Sequence, residues 1–154
     1  MRLQVLAIGR LKAGPEKTLS LDYQTRLETL GRKAGIGRMT VTEFAESQAQ
    51  TATQRQAEEA KLLSAALAPK AFTLVLDERG KACSSEAFSH PLQRHLDQGT
   101  QDLAFLIGGP DGLDPGLKGD ARAMIRLSSL TQPHALVRVI LAEALYRAAS
   151  VLKG

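Results

Sequence analysis

Chemistry in this sequence can be carried by two loops and a few titratable side chains. The first loop is Leu106-Ile-Gly-Gly-Pro-Asp-Gly-Leu113. Its paired glycines let the backbone take positive φ and let another molecule approach with no Cβ in the way. Pro110 stiffens the segment by fixing φ and removing a donor. The apolar run before it, Leu103 to Ile107, reads as a buried strand. In open α/β sheets ligands settle beyond the carboxyl ends of the strands. A ligand loop and an ordinary strand-to-helix turn use the same residues, so both readings stand on this segment alone. The second loop, Ser128-Ser-Leu-Thr-Gln-Pro133, is polar and runs directly into a long apolar stretch.

Among the titratable residues, Arg147 stands four positions after Glu143. It either pairs with that carboxylate along a helix or offers a cation to a substrate. Arg138 is open to RNA, to a second subunit or to solvent. His134 follows Pro133 at a helix start, as a base or as a residue held by local hydrogen bonds. His90 and His95 flank a helix and read as surface residues. Asp77, Glu78, Asp111 and Asp114 read as loop caps rather than a magnesium site, since no phosphate loop accompanies them. Cys83, the single cysteine, has no base nearby and reads as an inert thiol.

The elements that must position these groups alternate. Leu3 to Ile8 reads as a strand buried on both faces, as in a parallel sheet. Pro15 and Glu16 open a helix whose inner face is Leu19, Tyr23, Leu27 and Leu30, with Gly31 and Gly35 ending it. Met39 to Phe44 is a second strand, Ser47 to Thr53 a loop. Ala57, Ala60, Leu63 and Leu67 mark a second helix, stopped before Pro69. Ala71 to Leu76 is a third strand, ending in Asp77-Glu-Arg-Gly80. Ser84 or Ser85 caps a third helix lined by Phe88, Leu92 and Leu96, with a break or kink expected at Pro91 and an end at Gly99. After the strand at 103–107, a short helix over Pro115 to Ala123 and a fifth strand over Met124 to Leu127 follow. His134 to Leu152 is the longest helix. Its stripe of Val137, Leu141, Ala144, Ala148 and Val151 is widened by Leu136, Val139, Ile140, Leu145 and Leu152. A helix this apolar needs cover on more than one side, and a partner subunit is the simplest cover. Strands and helices in alternation, with about five strands, predict a three-layer α/β/α fold with a mainly parallel sheet.

Composition narrows the classes. A chain of 154 residues forms one domain, 1–154, with its own core. One cysteine excludes an internal disulfide and fits a reduced, cytoplasmic setting. The opening apolar run is too short for a signal peptide, and none is long enough to span a membrane. A net charge of +4 is compatible with RNA but does not demand it.

The C-terminal third, LIGGPDGL followed by RLSSLTQPHALVRVILAEALYRA, closely resembles the RlmH (YbeA) branch of the SPOUT methyltransferases. The opening LQVLAIGRLK and the VLDERGK segment are similar to that family too, so the likeness spans nearly the whole chain. A dinucleotide-binding fold would instead need G-x-G-x-x-G after the first strand, and Gly9 has no such context. The resemblance implies a deep trefoil knot, over about residues 103–154, a rare exception to the rule against threaded chains. It implies S-adenosylmethionine bent in that knot, no metal, and a homodimer packed through the knotted regions. Carried over by position, the cofactor would touch Leu76, Gly108, Gly109, Ser128, Ser129, Leu130, Thr131, Gln132 and Pro133. The implied reaction is N3-methylation of a pseudouridine in 23S ribosomal RNA of the assembled ribosome. The family continues past its last helix with a tail of the type His-Pro-Tyr-His-Arg, whereas this sequence reads Val151-Leu-Lys-Gly154. No tail residue is therefore carried over, and Arg147 is the one catalytic candidate. The alternative is a non-catalytic RNA- or ribosome-binding homologue on the same fold.

Overall fold

The computed structural model describes residues 1–82, 84–127 and 133–153. The order is β1 (Arg2–Ile8), α1 (Pro15–Ala34), β2 (Met39–Phe44), α2 (Ala52–Ala66), β3 (Phe72–Ala82), α3 (Ser85–Asp97), β4 (Asp102–Ile107), α4 (Pro115–Asp120), β5 (Ala123–Arg126) and α5 (His134–Lys153). The strands form one sheet in the order β2-β1-β4-β3-β5, every pairing parallel.

Alternation along the strands sorts the core into two layers. Leu3, Val5 and Ala7 of β1 and Leu103, Phe105 and Ile107 of β4 point to the side covered by α1, α3 and α5. Leu6, Ile8, Val75 and Leu106 point to the side covered by α2 and α4 through Leu63 and Leu117. The result is the expected three-layer α/β/α architecture. Crossovers that step one way along the sheet use α1 and α3, and those that step the other way use α2 and α4. All four therefore share one hand, as the strong bias of parallel crossovers requires.

Several local expectations change. Helix α1 runs through Gly31 to Ala34 and stops at Gly35, whose φ of 86° supplies the left-handed cap. Helix α2 begins within the segment expected as loop, because the Thr51 side chain accepts from the Gln54 amide at 3.2 Å. Pro91 lies inside a continuous α3, held to the sheet by buried Phe88 and Leu92. His95 is buried rather than superficial; its ring packs 4.1 Å from that of Phe72 and its Nδ1 lies 3.0 Å from Thr100 Oγ1. Arg138 is likewise buried, at 5% exposure, and is not a solvated charge.

Strand β3 continues past Leu76. Leu76 and Lys81 both stand opposite Ile125, so residues 77–80 form a bulge before pairing resumes at Lys81 and continues with Ala82 opposite Arg126. Gly80 permits this: a Cβ there would fall 2.6 Å from the Ile125 carbonyl carbon. Helix α5 is covered by the sheet and, within the same chain, by α1 and α3. The breadth of its apolar surface therefore does not by itself call for a second subunit.

Candidate active site

The carboxyl ends of β1, β3, β4 and β5 open onto one cleft of about 840 Å³, within the ordinary range for small-molecule sites. The β4 loop forms one wall. Its Gly112 amide donates to the Gly109 carbonyl at 2.9 Å, closing a tight turn with Pro110 and Asp111 at its centre. Gly112 has the positive φ, 79°, and Gly108 and Gly109 do not. A Cβ on Gly108 would lie 2.8 Å from the Gly112 carbonyl carbon and 2.9 Å from the Leu113 nitrogen. On Gly109 it would lie 3.0 Å from Ile8 Cγ2. The two residues border the cleft, yet their missing side chains make room for the chain itself.

Helix α2 holds that turn from behind. Arg55 grips Asp111 with two bonds, Nε to Oδ2 at 2.7 Å and Nη2 to Oδ1 at 3.1 Å, and Gln56 Nε2 donates to the Asp111 carbonyl at 2.6 Å. The Arg55 hydrogen bonds hold the Asp111 carboxyl below its ordinary range. On the facing wall, Lys118 lies 3.2 Å from Asp77, whose other oxygen accepts from the Arg79 amide at 2.8 Å. Burial pushes the Asp77 carboxyl up, but the Arg79 amide and the Lys118 ammonium together bring it below the usual value. Both aspartates are thus engaged by bases. Asp114 caps α4 by accepting from the Gly116 amide at 2.8 Å.

Near the end of β2, Glu43 accepts from the Leu11 amide at 2.8 Å and from Arg138 Nη1 at 2.9 Å. Burial raises the Glu43 carboxyl, and the Leu11 amide with Arg138 outweighs it, leaving a net lowering. His134 stands beside this pair. Its Nε2 is buried without a partner among the described residues, and Gly9, at φ 101°, leaves space for the ring: a Cβ there would lie 2.9 Å from Nε2. Burial first, then Arg138, lowers the His134 pKa below 6.5, against the opposing pull of Glu46 and Glu43. His95 is also lowered from 6.5, by burial and Arg94.

The sign of the resulting pH dependence is fixed. Two histidines that resist protonation when folded accept protons freely when unfolded, so the unfolded chain binds more protons as pH falls. Stability is therefore full above the ordinary value of 6.5 and declines below it. The melting temperature should fall from pH 7.5 to pH 5.5, and His95→Phe should flatten the slope. A melting temperature level across that window contradicts the assignment.

Of the residues singled out in the sequence, Leu76, Gly108 and Gly109 border the cleft together. Ser128, Ser129, Leu130, Thr131 and Gln132 lie outside the described residues, as does the part of the expected knot they would form. Pro133 is exposed at the start of α5, where its carbonyl accepts from the Leu136 and Val137 amides at 3.0 and 3.1 Å. Arg147 sits about 20 Å along α5 from His134, at about 1.5 Å per residue. There it pairs with Glu143 Oε1 at 2.5 Å and donates to Ser85 Oγ at 3.1 Å. It does not border the cleft of its own chain. Sequence reasoning missed Arg126 and the clamps Arg55–Asp111 and Arg138–Glu43, whose partners are too far apart in the chain to leave a local signal.

Apolar Leu76, Ile107, Leu127 and Val137 share the cleft with loop peptide groups and with three cations, Arg10, Arg79 and Arg126, that form no ion pair among the described residues. That donor set suits a flat heteroaromatic ring with a charged extension.

A family described as "Predicted SPOUT methyltransferase" matches residues 1–154. "Ribosomal RNA large subunit methyltransferase H" of Rhizobium leguminosarum bv. trifolii is 47% identical over 100% of this chain and 96% of its own. The relative of the same name in Rhizobium meliloti is 48% identical with the same coverage. A crystal structure of a probable methyltransferase from Bordetella pertussis Tohama I shares the fold with a TM-score of 0.51 at 14% identity, covering 96% of this chain and 95% of that one. With a match over its whole length and relatives near half identity, the chain belongs to the SPOUT methyltransferase family.

Proposed function

We propose that this protein uses S-adenosylmethionine to methylate N3 of a pseudouridine in 23S ribosomal RNA of the assembled ribosome, in the cytoplasm, as a homodimer. The observation that carries the reading is the cleft at the strand ends, bordered by Leu76, Gly108 and Gly109, in a chain near half identical to relatives named as large-subunit ribosomal RNA methyltransferases. S-adenosylmethionine supplies an electrophilic methyl group on a sulfonium and needs no metal. The protein's part is mostly positioning, which can supply several kcal/mol of the barrier. The Arg55–Asp111 clamp and the Gly109–Gly112 hydrogen bond keep the wall rigid. Leu76 and Val137 offer apolar surface to a base ring. Arg10 and Arg79 are exposed at the cleft, where they favour the approach of polyanionic RNA and the loss of the N3 proton. A mild overall charge, with few stacking aromatics, favours a folded ribosomal surface over free single-stranded RNA as substrate.

In this reading Arg147 serves the cleft of the partner copy, since it is remote from its own. Leu19 (43% exposed), Leu21 (52%) and Leu136 (43%), on the packed pair α1 and α5, offer an apolar seam for that copy. The test incubates the protein with tritiated cofactor and ribosomes lacking the modification, and maps the label by mass spectrometry. Label should appear on one pseudouridine. Arg147→Ala should slow transfer about tenfold or more and leave cofactor affinity unchanged. Mixing it with a variant of disabled cleft should restore transfer through mixed dimers. Label on another base refutes the specificity. No label with the cofactor bound makes the protein a non-catalytic ribosome-binding homologue.

A further inference from the structure

We infer that Arg126 is an oxyanion anchor inside the cleft, built to receive the carboxylate end of the bound nucleoside cofactor. The inference rests on the cofactor assignment above. Arg126 ends β5, opposite Ala82, just after the β3 ladder resumes past its bulge. Alternation along β5 sends Ala123 and Ile125 into the layer of α1, α3 and α5 and leaves Met124 on the α2 and α4 side. Arg126 follows Met124 in that alternation and borders the cleft.

Four carboxylates, Glu46, Asp77, Glu78 and Asp111, border the same cleft, and among the described residues none of them forms an ion pair with Arg126. Asp77 is held by Lys118 and the Arg79 amide, and Asp111 is held by Arg55. Arg126 makes no ion pair with a described residue, and its Nε is buried with no hydrogen-bond partner among them. A buried donor left unmatched has lost its hydration with no bond in return, a larger penalty when the group is charged. A guanidinium in that condition beside open space is satisfied by an anion that arrives with a ligand, and its planar fork matches a carboxylate or a phosphate. Arg10 and Arg79 are exposed and can be satisfied by water, whereas the Arg126 Nε cannot. The methionyl carboxylate of the cofactor and a phosphate of the RNA are the two oxyanions that reach this cleft. The buried Nε favours the one that enters as a small ligand.

The experiment compares two nucleosides by calorimetry: S-adenosylhomocysteine, which carries the carboxylate, and 5′-methylthioadenosine, which lacks it. Arg126→Met should weaken S-adenosylhomocysteine by on the order of ten- to a hundredfold and leave 5′-methylthioadenosine unchanged, the latter also showing that the variant is folded. Arg126→Lys should fall between. If S-adenosylhomocysteine is unaffected but the KM for ribosomes rises and its salt dependence flattens, the anion received is an RNA phosphate and the anchor stands with that source. Equal weakening of both nucleosides makes Arg126 a shaping residue and overturns the anchor. So does an unchanged affinity for both together with an unchanged KM for ribosomes. If the unsubstituted protein binds neither nucleoside, the cofactor assignment itself fails, and the ribosome arm alone decides whether Arg126 holds an anion.

Discussion

Gly108→Ala is expected to lower the melting temperature by roughly 6–12 °C and to remove cofactor binding. The added Cβ would stand 2.8 Å from the Gly112 carbonyl carbon and 2.9 Å from the Leu113 nitrogen. Those are backbone atoms, with no flexible end to swing aside, so the turn must open. Overpacking costs about 1–3 kcal/mol and occasionally more. A backbone obstacle belongs at the upper end, and in a domain of this size each kcal/mol is worth about 2–4 °C. Opening the turn also disturbs the 2.9 Å bond between Gly112 and Gly109 and moves Asp111 against Arg55. The cleft wall would then change shape even in molecules that remain folded. Gly119→Ala is the control. Nothing lies within 4 Å of its added Cβ, it sits in α4, and alanine there should leave the melting temperature equal or slightly higher. Calorimetric melts of the two variants decide the matter, and a Gly108→Ala protein as stable as the unsubstituted one removes the proposed obstacle.

Arg138→Met should cost about 2–3 kcal/mol. Taking one partner from a buried ion pair typically costs about 3–5 kcal/mol because the other charge is left stranded. The figure is reduced here because the Glu43 side chain keeps 25% exposure and still accepts from the Leu11 amide. Adding Glu43→Gln should recover part of the loss, since the stranded charge goes while an acceptor for Leu11 remains. The same substitution removes one of the two influences that depress His134, so the His134 pKa should move up towards 6.5 in an NMR titration. An Arg138→Met protein with an unmoved His134 titration would show that burial alone governs that ring.

Periodicity carried most of the architecture. The near-continuous apolar runs at Leu3–Ile8 and Leu103–Ile107 identified the two central strands, because only strands covered on both faces afford so few polar positions. Edges were less legible. The extension of β3 past Leu76 rests on Gly80 passing close to Ile125, a contact between residues 45 apart that no local pattern announces. His95 looked superficial, and what helps to bury it is Phe72, from another element. The candidate site followed the same division. The β4 loop was visible from its glycines and proline, but the close packing of Gly108 against the Gly112 and Leu113 backbone was not. Arg138 read as a free cation because its partner, Glu43, stands 95 positions away. The breadth of the α5 apolar surface suggested a second subunit, and α1 and α3 of the same chain account for much of it.

The sheet order has a consequence for synthesis. β1 pairs on one side with β2, complete by Phe44, and on the other with β4, complete only at Ile107. During translation at about 5–20 residues per second, the first βαβ unit can close while the opposite edge of β1 waits roughly 3–12 s for its partner. Throughout that interval an almost wholly apolar strand presents bare amides and carbonyls on one side, the condition that invites pairing with other chains. Molecules emerging from neighbouring ribosomes on one message expose the same edge at the same stage. Slow codons between 44 and 107 would lengthen the exposure, and chaperones that shield nascent strands would find their greatest use on this protein within that window.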